Sequence, residues 1–241
     1  MDEHGVEDMN NPWTNTKTSS YAEYDAGLRA YLLAVFNYMT MALGISGVIA
    51  YGVGISPEIM AAIWGSPIKW LVILAPLGMA IGMSYMLDGM RAHTAKVCLA
   101  VFAGLMGLSL SSIFAVYTMA SIAQVFFISA ATFGTTALWG YTTKRDLSKM
   151  GSLLMMGLIG IVLAGLVNIF LQSSALQMVC SILGVVIFVG FTAYDMQQIK
   201  DGYGHAYGEA QEKAGVMGAL NLYLDFVNIF TSLLHIIGDK K

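Results

Sequence analysis

The last long apolar run of the chain is MGALNLYLDFVNIFTSLLHIIG, residues 217–238. Its 22 residues are apolar enough to enter a membrane, and as a helix they span about 33 Å, sufficient for the hydrocarbon core. No Gly or Pro between Ala219 and Ile237 offers a place to turn back. Asn221, Asp225, Asn228, Ser232 and His235 recur at i, i+4, i+7, i+11 and i+14, so on a helix they lie within about 40° either side of one line. An ionisable Asp inside such a segment is costly against lipid and faces protein, a partner or water. The stretch therefore reads as a central helix that the rest of the chain encloses and that crosses fully. The commoner use of Asn221, Asn228 and Ser232 is hydrogen bonding between helices, with lining a polar path as the alternative. Asp225 reads first as functional.

Composition widens this to the whole chain. Of 241 residues, 57% are hydrophobic and 11% charged, well outside the range of soluble domains. Apolar runs of about 20 residues, separated by short polar breaks and almost free of Pro, are spanning α-helices rather than barrel strands. The expectation is an all-α integral membrane protein with seven transmembrane helices. Cys98 and Cys180 lie within apolar spans and share no ligand spacing with any His, so they read as small buried hydrophobes.

Residues 1–27 are acidic and hold no apolar core of the kind a signal peptide needs; they read as a flexible tail. Residues 28–241 form one membrane domain. Its spans are expected near Leu28–Gly54, Ile68–Leu87 (with Pro76 as a kink), Ala95–Tyr117, Ser121–Tyr141, Gly151–Leu171, Leu176–Ile199 and Met217–Gly238, with a loop containing Pro57 and Pro67 after the first and a polar loop at Lys200–Gly215. If all seven cross, nine Lys and Arg lie on the side of the N-terminus and three on the other, which places the N-terminus in the cytoplasm. A re-entrant last segment would make the split eleven against one, so charge alone leaves both topologies open.

Asp195 stands five residues before Lys200 in TAYDMQQIK, about 7–8 Å inside the N-terminal side of the membrane, and Asp225 lies at about 12 Å from that same side. Two carboxylates at similar depth do not both ionise freely and share a proton over some pH range. Protonated, they hydrogen-bond and hold two helices together; ionised, they repel or recruit a cation. The other reading of Asp195 is a carboxylate solvated at a helix end beside Gln197, Gln198 and Lys200. Asn168 and the hydroxyl runs Ser109-Ser111-Ser112 and Thr132-Thr135-Thr136 read as small polar residues packed between helices, with path lining as the alternative. His93 and His235 are too far apart in topology to form one site. The chain has no Walker, HExxH or GxSxG motif and no basic patch for nucleic acid, so motifs support neither an enzyme nor a nucleic-acid partner.

GLSLSSIF at 107–114, FGTTALWGYTTKRDLS at 133–148, FTAYDMQQIK at 191–200 and ALNLYLDFVNIFTSLL at 219–234 together resemble the Bax inhibitor-1 family in its bacterial branch. The resemblance covers all seven spans and leaves out the acidic tail. It implies a bacterial inner-membrane protein whose last helix is wrapped by the other six, with no cofactor. It also implies a pH-sensitive calcium leak whose aspartate pair falls on Asp195 and Asp225, which would hold the passing calcium transiently. Family leak members carry an arginine latch near the end of the second span. Counting back from Gly107 puts that position near Gly89; Arg91, two places on, is the only nearby arginine, and Asp88 is a further departure. A second reading, from a different class, is a regulator that binds a membrane-anchored protease through the acidic tail.

Overall fold

The structure, a computed structural model, describes residues 12–241, with side chains from Glu23 onward. Helix α1 runs Pro12–Gly54, so part of the segment expected as flexible tail is helical. The expected loop after it contains a short helix, α2 (Pro57–Trp64), begun by Pro57 at a position where its missing N–H costs nothing. The second span is α3 (Ile68–Met86), continuous through Pro76, and a 3-10 turn at Leu87–Gly89 follows it. Helices α4 (Ala92–Leu110) and α5 (Ile113–Val116) make the third span, and α6 (Met119–Thr142), α7 (Ser148–Leu171), α8 (Ser174–Gly202) and α9 (Glu209–Ile237) make the rest. The expected polar loop at 200–215 shrinks to residues 203–208. Helix α8 continues into it, and α9 begins early because Glu209 and Glu212 suit a helix's first turn.

Seven helices are long and apolar enough to cross a membrane, and the described residues contain no β-strand. Half of the α9 window is buried, against at most 28% for any other span. Helix α9 packs on α1, α4, α6 and α8, while α3 packs chiefly on α4 and α7 on α8. The wrapping expected of six helices is thus made mainly by four. Small residues permit close approach: a Cβ on Gly107 would lie 2.7 Å from the Ser46 carbonyl oxygen of α1, and one on Gly140 would lie 2.8 Å from the Ala193 Cα of α8.

Helix α9 is unbroken over 29 residues, about 43 Å. Its Gly215 meets Tyr31 near the start of α1's span, and Gly238 meets Tyr117 at the opposite end of the bundle. Backbone bonds from Thr118 N–H to the Asp239 carbonyl (3.0 Å) and from Lys241 N–H to the Val116 carbonyl (2.9 Å) tie the chain down there. The helix crosses the bundle, and no re-entrant turn occurs in it.

Candidate functional site

Helices α8 and α9 run antiparallel, with Gly218 against Ile199 at one end and Gly184 against Ser232 at the other. That register sets Asp225 opposite Phe191 and Thr192, and Asp195 opposite Asn221 and Leu222, one turn nearer the N-terminal side. The two carboxyls are electrostatic neighbours. Asp225 is buried, at 4% exposure, and Asp195 is half-buried. Thr192 lies beside the Asp225 carboxyl, but its hydroxyl donates its proton to the Phe188 carbonyl at 2.8 Å. Asp225 Oδ2 has no hydrogen-bond partner among the described residues. A buried carboxylate oxygen without a donor is costly, more so than a neutral group. A proton or a cation at this position would complete it.

On the side away from the N-terminus, a cleft of about 570 Å³ opens between α7, α8 and α9. Asn168 of α7 and Gln172 just past its end, Gln177 and Ser181 of α8, and Asn228, Ser232 and His235 of α9 give it a polar lining. Within a membrane such a surface belongs in a water-filled cavity rather than against lipid. Phe188 and Asn228 reach deepest along it, each one turn from the level of Thr192 and Asp225. On the other side, Lys200 Nζ donates to the Tyr141 carbonyl at 2.8 Å and lies over its ring. Among the described residues no group of three or more His, Cys, Asp or Glu gathers as a metal centre.

The remaining predicted residues separate from the pair. Arg91 is exposed, precedes α4 as its N-cap residue and makes no side-chain hydrogen bond or ion pair among the described residues, so no latch to either aspartate is formed. Asn221 is exposed, as is His235 at the cleft mouth. The stripe is therefore enclosed only at Asp225, while Asn228 and Ser232 are half-buried cleft walls. Asn228 donates to the Leu224 carbonyl at 2.7 Å, and Asn168 Oδ1 accepts from Ser173 N–H at 2.9 Å. The hydroxyl runs bond their own helices, as with Thr132 to the Ile128 carbonyl and Ser112 to the Ser109 carbonyl, which is the packing role. Ser111 also accepts from Trp64 Nε1. Both cysteines are free.

A family model described as inhibitor of apoptosis-promoting Bax1 matches residues 28–241. The chain belongs to the Bax inhibitor-1 family. It is 42% identical over 229 residues to an uncharacterised protein of Rickettsia prowazekii, covering 95% of this chain and 97% of that one. It is 40% identical over 234 residues to the inner membrane protein YbhL of Escherichia coli K12, covering 93% and 98%. An uncharacterised membrane protein of Streptococcus pyogenes is 30% identical over 223 residues, covering 90% and 96%. The family match begins at Leu28, so the acidic tail lies outside it, and residues 1–11 of that tail lie outside the described structure.

Sequence reading of this family member missed Thr192, Gln177 and Ser181. Thr192 stands three residues before Asp195 on the same α8 face, a spacing that could have marked it. Gln177 and Ser181 share a face at i and i+4, but only the position of α7 turns that face into a cleft wall. Gln197, read as a solvated neighbour of Asp195, instead clasps the α6–α7 turn: its Oε1 accepts from Leu147 N–H at 2.8 Å and its Nε2 donates to the Arg145 carbonyl at 2.9 Å.

Proposed function

We propose that this family member is a pH-regulated leak for calcium or a similar cation, in an inner membrane with the N-terminus cytoplasmic. The observation that carries the reading is the unpartnered, buried Oδ2 of Asp225 beside a second carboxyl on the neighbouring helix. Hard carboxylate oxygens suit calcium as cargo, and two of them are too few for a tight cage, which favours passage over storage. Protons and cations compete for the same oxygens. With a proton shared between Asp195 and Asp225, α8 and α9 are held together and the path is closed; with both ionised, the carboxylates repel and admit a cation. Flux therefore rises as pH rises. The polar cleft supplies the outer part of the path as far as Asn228.

The test is calcium flux in liposomes containing only this protein, for the native chain and for Asp225→Asn. That substitution keeps the shape and removes the charge, so flux should lose its pH dependence between about 6 and 8. An unchanged pH dependence in Asp225→Asn reassigns Asp225 to packing, and no flux from the native chain at any pH ends the leak reading altogether.

A further inference from the structure

All three charged residues in the first turns of α9, Glu209, Glu212 and Lys213, are committed to one place, the α3–α4 corner. Glu209 Oε1 accepts from Ala92 N–H at 2.8 Å. Helix α4 has no side-chain cap of its own, so a carboxylate from another helix satisfies its open N-terminus. Glu212 pairs with Lys96, whose ammonium also lies 5.3 Å from the Tyr38 ring centre on α1. Lys213 Nζ donates to the carbonyls of Leu87 (3.2 Å) and Asp88 (3.1 Å), in the 3-10 turn that ends the second span. The corner thus presents carbonyls ending one helix beside an open N–H and a lysine beginning the next, and α9 answers with a cation and two anions.

The connection from α8 does not fix α9 in the same way. It is six residues long, and Gly204 and Gly208 hold positive φ of 88° and 60°, conformations that glycine adopts freely. The two ends of α9 also differ in kind. The C-terminal end is tied by backbone bonds at Thr118 and Lys241 with Ser121 Oγ accepting from Asp239 N–H as well, whereas the N-terminal end has apolar packing from Val216 onward and, ahead of it, only side-chain polar ties, of which Lys96 and Glu212 are 32% and 42% exposed. Exposed charge pairs are individually weak and are screened by salt.

We propose that Glu209, Glu212 and Lys213 form a releasable clamp that holds the N-terminal end of α9 against the bundle and thereby sets Asp225 relative to Asp195. Its release is the step that lets that end swing away from the α3–α4 corner about the tied C-terminal end. The link to ion flux rests on the leak reading; the mechanical part does not.

The test compares the native chain, Lys96→Glu, Glu212→Lys and the double reversal in lipid nanodiscs, by amide hydrogen exchange and by disulfide formation between Ile199→Cys and Gly218→Cys in a background with Cys98 and Cys180 changed to Ala. Each single reversal should speed exchange across residues 209–219 by about fivefold and slow the 199–218 cross-link by a similar factor. The double reversal should restore both. Lys213→Met, which removes only the carbonyl contacts, gives a milder version of the same result should a reversal fail to insert. The clamp is overturned by unchanged exchange in the single variants, by a double reversal as fast as either single, or by faster exchange with unchanged cross-linking, which marks local fraying alone. Flux in the same variants separates the two readings. Absent flux in the native chain removes the leak and leaves the clamp to be judged by exchange and cross-linking. Native flux that the single reversals do not alter removes the clamp as a gate.

Discussion

Tyr223 and Asp225 stand two residues apart on α9 and face opposite ways. Tyr223 is fully buried, with its hydroxyl 2.6 Å from Ser46 Oγ and its ring edge-on to Phe102. Ser46 is in turn within hydrogen-bond distance of the Ala42 (2.9 Å) and Ala103 (2.8 Å) carbonyls, so every polar group on that face is paired. Asp225 is nearly as buried but leaves one oxygen unpaired, close to a second carboxyl and one turn below a polar cleft. One face of the helix has its buried hydroxyls paired, and holds α1, α4 and α9 together. The other retains an unsatisfied group, and such groups in a membrane mark chemistry rather than packing.

The largest test of this contrast uses two glycines. A Cβ on Gly107, on the paired face, would lie 2.7 Å from the Ser46 carbonyl oxygen and 2.9 Å from Ile49 Cβ, whereas one on Gly165, in the cleft, meets nothing within 4 Å. Gly107→Ala should lower unfolding stability in detergent by about 1–3 kcal/mol, while Gly165→Ala should be neutral or gain up to about 1 kcal/mol from helix propensity. Equal losses at both sites would erase the distinction between the faces.

A smaller effect is expected from the hydroxyl of Tyr223. Tyr223→Phe removes the hydrogen bond to Ser46 and should cost about 1 kcal/mol while leaving the pH response of flux intact. Asp225→Asn should do the reverse. The comparison fails if Tyr223→Phe changes the pH response as much as Asp225→Asn does.

The smallest expected effect lies in the α6–α7 turn. Asp146 accepts from Ser148 N–H at 2.9 Å, and its contact with the Ser148 hydroxyl, followed by that backbone bond, holds its carboxyl below the usual carboxylate range. A carboxyl lowered by folding contributes above its unfolded value, and that contribution is lost only as pH falls through the folded value. Asp146 is therefore ionised throughout the range from about 6 to 8, and Asp146→Asn should leave the pH response of flux unchanged. Ser148→Ala should move the carboxyl back upward in an NMR titration, and no movement would remove the hydroxyl as the cause.

Much of the fold was legible because hydrophobic length alone identifies membrane helices. The seven spans fell where the apolar runs lie, and the unbroken run from Ala219 to Ile237 is part of one helix. The ends were less legible: α9 starts at Glu209 rather than Met217, because helices continue past the hydrocarbon into water where hydropathy carries no signal. The polar stripe was visible as a line, but its surroundings were not. Asn221 and Asp225 share one spacing pattern, yet one is exposed and the other buried, since burial depends on which helix passes each point.

Length, hydropathy and helical period are local properties, and they were enough to read a seven-helix membrane chain, a last helix rich in polar residues and one acidic residue inside each of the last two spans. It took the packed helices to show that, among the described residues, Asp225 lacks a partner for one oxygen and Arg91 pairs with neither aspartate, and that Glu209, Glu212 and Lys213 reach the α3–α4 corner. Each of these depends on the antiparallel register of α8 and α9 or on contacts more than a hundred residues apart along the chain, which no periodicity within one segment encodes.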